Sequence, residues 1–483
     1  MMLILLIVFV PLVLLFLKHY ALFGVLVSHD HHLPPGPYIW QLLRNFSMYL
    51  NIPHIALKNL SKIYGPLISF RVGGQLIVVA SSPNTAREIL KTRTLSGRFM
   101  PLVYCHIPGV TKASVVMARE CDDSWKSLRA IGQGYIFSSK AVESNNMIRK
   151  LKVKEMVNYI RTKQLGQSLK IENVVFPTFV NVISNILASR DLVGIDLGGK
   201  IDRKVVSFVE SVTENSNSLG LSDIYPILKK IDFWSKRKAM NMLHDIQLIW
   251  GDIVKERKIN MSHGKNTGSS TRDFFDELLI AASDTTTLTT VWLMVEIIKN
   301  PETLSRVRDE IANQAMDGDE LNESRLSECK YFQACVKETL RLHVPGPFGI
   351  PHRANETCIV DNYVIPKDSM VMVNFWAIHL DPNNWEDATS FKPERFLNSK
   401  IDYKGFNFEF LPFGAGQRMC PGFNVAVKSV QVMVATLVHF FNWDLPNGMQ
   451  LTDLDTSPYL RGTLKLAKPL YLIPSVRENI PSV

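Results

Sequence analysis

Phe413-Gly414-Ala415-Gly416-Gln417-Arg418-Met419-Cys420-Pro421-Gly422 is the stretch whose reading decides the fold. A single cysteine sits in a tight, glycine-punctuated loop, with an arginine two residues before it and Pro-Gly directly after. From Phe423 the chain runs Asn-Val-Ala-Val-Lys-Ser-Val-Gln-Val-Met-Val-Ala-Thr-Leu-Val-His-Phe-Phe, an apolar helical pattern, so Cys420 falls at a helix N-terminus. Unpaired backbone N–H groups and the positive end of the helix dipole favour a thiolate there. Gly414 and Gly416 permit backbone angles that a side chain forbids, and Gly422 permits close approach of a flat partner. Arg418 offers a rigid fork of donors suited to a carboxylate on that partner. A lone thiolate with an aromatic neighbour and an anion-binding arginine is what a haem iron with one protein ligand requires.

The loop resembles the haem-binding loop of the cytochromes P450, Phe-x-x-Gly-x-Arg-x-Cys-x-Gly, and matches it at every fixed position. The resemblance implies a mainly α fold with a small β-region, and haem b with Cys420 as axial ligand of its iron. Phe413, Gly414, Arg418 and Gly422 then surround the cofactor. Upstream, Trp125 and Arg129 share one helix face. By spacing alone they read as a surface cation–π pair. They also resemble the family's Trp-x-x-x-Arg helix, and Pro351-His352 resembles its strand contact. Trp125, Arg129 and His352 are accordingly expected on the haem propionates.

Ala281-Ala282-Ser283-Asp284-Thr285-Thr286 is the second chemical site. Short polar side chains compete with backbone hydrogen bonds inside a helix, so an Asp-Thr pair in an apolar run is locally costly. It resembles the acid–alcohol motif of the P450 central helix. Asp284 and Thr285 are then expected to deliver protons for oxygen activation, which needs a proton source and an oriented hydroxyl. Ala282 stands where the family usually has Gly, which crowds the oxygen groove by one methyl. Relatives also carry a loop and several more helical turns before the motif, whereas here Asp273-Phe-Phe-Asp-Glu-Leu-Leu-Ile280 runs straight into it. That segment is expected either to start a shortened helix or to mark a lost piece of coding sequence.

Glu338-Thr-Leu-Arg341 by itself is a helix ion pair worth a few tenths of a kcal/mol. Its apolar neighbours Ala334, Val336, Leu340 and Leu342 imply burial. Pro393-Glu394-Arg395-Phe396 resembles the P450 segment whose arginine completes a Glu-Arg-Arg cluster. Glu338, Arg341 and Arg395 are therefore expected as a buried network that locks the fold. His343 reads as structural. By motif position the substrate pocket takes Phe348, Gly349, Ile350 and Leu460, and Phe99 to Met117 covers it.

Composition sets the frame. The 483 residues are 46% hydrophobic and 20% charged, which is an ordinary globular protein and not a disordered one. The net charge of +9 and pI near 9.1 are spread without a long Lys/Arg block, so no nucleic-acid partner is expected, and the mildly basic surface suits an anionic membrane or an acidic protein partner. Cys105, Cys121, Cys329, Cys335, Cys358 and Cys420 form no C-x-x-C pair, which argues against a disulfide framework and for reduced thiols.

The first residues, Met1 to Leu17, are uninterruptedly apolar, followed by Lys18-His19 and a second apolar stretch to Val27. Such a span can cross a bilayer, which takes about 20 residues; a cleaved signal peptide is the rival reading, against which no small-x-small cleavage site follows and no basic region precedes. Basic residues follow it and none precedes it, so the body is expected on the cytosolic side. Sequons at Asn45, Asn59, Asn260, Asn322 and Asn355 would then go unglycosylated. Residues 1–28 are read as a membrane anchor, 29–37 (with Leu33-Pro34-Pro35-Gly36-Pro37) as a stiff spacer, and 38–483 as the catalytic domain. Leu67 to Val79 alternates around Gly73-Gly74, which predicts a β-hairpin.

The chain is identified as a member of the plant microsomal P450s, in the geraniol hydroxylase-like group. Trp292-Leu-Met-Val-Glu296, Asn300-Pro301, Val373-Asn-Phe-Trp-Ala377 and Phe440-Phe-Asn-Trp443 carry that resemblance. It implies a single-pass endoplasmic reticulum protein that oxidises an apolar or phenolic small molecule, a terpenoid favoured, using O2. Electrons would come from NADPH–cytochrome P450 reductase docking near Lys126 and Lys428. Two alternatives stand beside this: a haem-binding protein with impaired turnover, and an O2-independent isomerase or dehydratase, against which Asp284-Thr285 speaks.

Overall fold

A computed structural model of the protein describes residues 32–44, 48, 51–107, 114–216, 220–261, 270–317 and 320–477. The expected anchor at 1–28 lies outside the described residues. The proline-rich stretch behind it is not a free-standing spacer. Ser69 donates its hydroxyl to the Pro34 carbonyl at 2.6 Å and its N–H to the Pro35 carbonyl at 2.9 Å. A Cβ on Gly36 would meet the Ser69 carbonyl oxygen at 1.8 Å, so the glycine is what lets the segment lie against the strand. Prolines have no N–H to waste and keep their carbonyls, which suits them to an edge.

Strands β1 (Leu67–Val72) and β2 (Gln75–Ala80) form the predicted hairpin, antiparallel with Val72 opposite Gln75. Gly73 takes φ +58° at its turn. Ser82 then caps α1 (Pro83–Lys91): its side chain accepts the Thr85 N–H, and Pro83 fills the first turn, where no donor is needed. The chain continues through β3 (Gly97–Arg98), α2 (Asp123–Gly132), α3 (Asn146–Tyr159), α4 (Glu172–Ala188), α5 (Lys200–Ser216) and α6 (Phe233–Met261). Next come α7 (Ser270–Lys299), α8 (Pro301–Gln314), α9 (Lys330–Leu342), β4 (His352–Arg353) and β5 (Met370–Val373). Helix α10 (Phe423–Phe440) and the hairpin β6 (Pro458–Arg461) and β7 (Thr463–Leu466) complete the parts that matter here. One sheet has the order β1-β2-β5-β4-β3, with β5 parallel to β2 and the other pairs antiparallel.

Helix α7 is the axis of the molecule and packs against α4, α5, α9 and α10. Trp292, Leu293, Met294 and Val295 follow one another and are all fully buried. Four consecutive residues point all round a helix, so α7 is covered on every side there. The same holds for α10, which is long and apolar enough to cross a membrane but lies mostly buried inside this fold. The segment before Ala281 is helical from Ser270, so about four turns precede Asp284.

Candidate active site

Cys420 follows a one-turn helix (Gly416–Arg418) and precedes α10 by two residues. Its N–H donates to the Phe413 carbonyl at 3.0 Å, which closes the loop on itself. Gly414 and Gly416 both have positive φ, +68° and +69°, and a Cβ on Gly416 would strike the Leu90 carbonyl oxygen at 2.0 Å. The electrostatics differ from the sequence expectation. Burial pushes the Cys420 thiol up, and the Gly422 N–H and the Arg129 guanidinium only partly offset it. The helix terminus alone does not make the thiolate, and a bound metal cation is what would deprotonate it.

The thiol opens on a cavity of about 360 Å³. Three guanidiniums line it: Arg98, Arg129 and Arg418. Arg129 donates to the Met419 carbonyl at 2.8 Å, while Arg418 donates to the carbonyls of Ser96 at 2.8 Å and Ala118 at 2.6 Å. Arg98 donates to the Ile350 carbonyl at 2.5 Å. The sequence reading missed Arg98. Its signal was the preceding Gly97, whose absent side chain lets β3 press onto Arg353 and Asn355. Among the described residues only one carboxylate, Asp284, lines the cavity, and it is engaged elsewhere. Three guanidiniums lining one cavity are donor forks that match carboxylates, so this lining suits a ligand bearing carboxylates. Gly422 agrees: a Cβ there would touch only the Phe137 ring, at 3.7 Å, and would otherwise enter the cavity. The residues present therefore fit haem b.

Two of the residues expected at the propionates have protein partners of their own. Trp125 does not line the cavity. Its buried indole N–H must find an acceptor and takes the Val115 carbonyl at 2.8 Å. The ring instead packs against both Arg129 and Arg418, whose guanidiniums lie 5.3 and 5.0 Å from its centroid. His352 does line the cavity, but its Nδ1 is 2.7 Å from the Leu95 carbonyl and so must carry the proton. Burial, with Arg98 and Arg418 nearby, pushes its pKa down to about 3.

Asp284 and Thr285 reach the same cavity from mid-α7, with Ala282 beside them. Asp284 Oδ2 accepts the Thr463 hydroxyl at 2.7 Å, and Oδ1 lies 3.1 Å from the Lys465 ammonium. Thr286 is a second residue the sequence reading passed over. It is fully buried, lines the cavity, and its hydroxyl has no hydrogen-bond partner among the described residues. The run of three threonines was the available signal.

Phe348, Gly349 and Ile350 line the cavity as expected, whereas Leu460 does not. Leu460 is half-buried against the cluster containing Phe348, and the turn beyond it, Gly462-Thr463, takes its place. Tyr104, Val115, Val116 and Met117 contribute from the stretch expected to cover the pocket, whose residues 108–113 lie outside the described set. Phe413 also lines it, stacked edge-on to Tyr403. Glu338, Arg341 and Arg395 assemble behind the site. Glu338 accepts two bonds from Arg341, at 2.7 and 2.8 Å, and one from Arg395 at 3.0 Å. His343 is structural, 2.6 Å from Glu296 and stacked on Trp292. Lys428 is not a free basic group, because its ammonium donates to the Glu323 carbonyl.

Comparison with known proteins agrees with this geometry. The Cytochrome P450 family profile matches residues 34–474. A probable (S)-N-methylcoclaurine 3'-hydroxylase isozyme 2 of Coptis japonica is 38% identical over 474 residues, covering 94% of this chain and 95% of the relative. Geraniol 8-hydroxylase of Catharanthus roseus is 34% identical over 488 residues, covering 96% and 98%. A zebra fish cytochrome P450 structure with progesterone superposes with a TM-score of 0.72 at 22% identity, covering 88% of this chain and 99% of that one.

Proposed function

The chain belongs to the cytochrome P450 family as a haem b monooxygenase of the plant geraniol hydroxylase-like group, and from that premise we propose that it hydroxylates an uncharged apolar or phenolic metabolite, a terpenoid foremost. The observation that carries this reading is the make-up of the cavity lining. Arg98, Arg129 and Arg418 line it with Cys420, and so do the apolar side chains Phe179, Ile183, Leu187 and Val212. The only lining carboxylate among the described residues is already paired with Lys465, which leaves no counter-charge for a cationic amine.

Haem b, when bound, supplies the iron at which O2 is reduced and one oxygen atom is passed to substrate. The chain's part is to hold and orient. Cys420 would be the iron's protein ligand, seated by its own N–H on Phe413. The three arginines would hold the cofactor's carboxylates; backbone carbonyls anchor all three, and the Trp125 ring packs against Arg129 and Arg418. Asp284 and Thr285 handle the protons at the cavity's polar edge. The apolar walls exclude water from the reacting carbon. Unbroken helix from Ser270 through Asp284 supports turnover over the inert-haem alternative.

Residues 1–28 are proposed as the anchor that holds the body on the cytosolic face of the endoplasmic reticulum. NADPH–cytochrome P450 reductase is the proposed electron donor. Lys126, exposed on α2, is its candidate contact.

The test is spectroscopic. Reduced protein with CO should give the band of a thiolate-ligated haem, and Cys420→Ala should lose it. Geraniol should shift the haem spin state at lower concentration than a protonated benzylisoquinoline amine. A Cys420→Ala protein that keeps the band removes the ligand assignment, and preference for the amine removes the substrate reading.

A further inference from the structure

Asp284 belongs to the middle of α7, yet both of its oxygens are held from the far end of the chain. Thr463 and Lys465 are alternate residues of β7, so the two-residue period of a strand puts both on one face, toward the carboxylate. The strand between them is pinned as well. The Trp292 indole N–H donates to the Leu464 carbonyl at 3.0 Å, and the Leu464 N–H donates to the Pro345 carbonyl at 2.8 Å. Two residues on α7, Asp284 and Trp292, thus grip three consecutive residues of one strand.

The other end of the same hairpin is fixed to α5. Gly462, at the turn with φ +76°, lies so close to that helix that a Cβ would meet the Thr213 carbonyl oxygen at 2.1 Å. Arg461 pairs with Glu214 one residue on, at 2.8 Å. Val212 and Thr213 of α5 line the cavity, as do Gly462 and Thr463. Anything in the cavity that moves α5 therefore pushes on the strands that hold Asp284. The Lys465 contact is the one able to yield. Its side chain is 27% exposed, against 11% for that of Asp284, so water can replace the carboxylate there.

We infer that the β6–β7 hairpin is a clasp that sets the posture of the Asp284 carboxylate, with Lys465 as the positioning residue, and that cavity occupancy is passed to it through Gly462 and Thr213. The inference rests on Asp284 being the proton-handling acid proposed above. It assigns Lys465 no contact with substrate or haem. Its effect is on the fraction of electrons that end in product, because a proton donor displaced by about 1 Å costs on the order of a hundredfold in rate.

The experiment uses the reductase-coupled holoenzyme as Asp284→Asn, Lys465→Met, Lys465→Arg and the Asp284→Asn/Lys465→Met double variant. Product per NADPH is read alongside amide hydrogen exchange over 458–466, the latter without turnover. Lys465→Met should lower product per NADPH by on the order of tenfold to a hundredfold with KM little changed, and should speed exchange across β7. Lys465→Arg should restore most of both. The double variant should be no worse than Asp284→Asn, since one residue acts through the other. The clasp is overturned if Lys465→Met couples like the parent, if losses in the double variant multiply, or if only haem content and thermal stability fall. If Asp284→Asn itself couples normally, the reading of Asp284 fails and takes the clasp with it.

Discussion

Two glycines of the cysteine loop look alike in the sequence and do different work. Gly416 is required by the polypeptide: its φ of +69° is in the left-handed region, and its missing Cβ is the room that the Leu90 carbonyl occupies. Gly422 has φ −90°, which any residue adopts, and borders open cavity apart from Phe137. Gly416→Ala is accordingly expected to destabilise the fold by at least about 2 kcal/mol. Gly422→Thr keeps a good residue at the start of α10, so stability should stay within about 0.5 kcal/mol while haem retention falls. Thermal unfolding and the haem-to-protein ratio of the purified variants separate the two effects. Full haem occupancy in Gly422→Thr would show that nothing flat lies over that residue.

Between elements, charge takes over from sterics. Glu338 is fully buried on α9 and, among the described residues, is the carboxylate in salt-bridge contact with both Arg341, which is equally buried, and Arg395, which sits at the rim with 12% side-chain exposure. Glu338→Gln would leave two guanidiniums without their anion, a loss of roughly 3–5 kcal/mol. Arg395→Met should cost less, because Arg341 and the Lys392 N–H still satisfy the carboxylate. Comparing unfolding midpoints of the two variants checks the order. This network was legible in the sequence, since its members sit in short motifs whose apolar flanks declare burial. The haem loop, the Gly73-Gly74 hairpin and the Asp-Thr pair were legible for the same reason. Trp125's acceptor, the docking of Pro34 and Pro35 on Ser69, and the hold of Thr463 and Lys465 on Asp284 were not. Those depend on which distant carbonyl or side chain the fold delivers, and no spacing within one segment encodes a contact 181 residues away.

At the scale of the molecule, burial stores an acid lability. His54, His352, His379 and His439 are all buried, and burial pushes their pKa values down to about 4, 3, 3 and 4. An unfolded histidine titrates near 6.5. Between that value and the folded one, the unfolded chain binds one more proton per histidine, so stability falls as pH falls and the loss is complete at the folded pKa. His352 and its neighbouring arginines would feel the haem carboxylates, which makes His54 the cleaner reporter. Neither of its ring nitrogens has a hydrogen-bond partner among the described residues, and its ring stands edge-on to Trp376 at 4.8 Å. Phenylalanine keeps that packing and does not titrate. Acidification from pH 7 to 5 should therefore cost His54→Phe about 2 kcal/mol less than the parent. Urea unfolding at both pH values, with unchanged slope, measures it. Equal losses in the two proteins would mean that His54 takes up its proton without unfolding, and the lability would then have to lie with the other three.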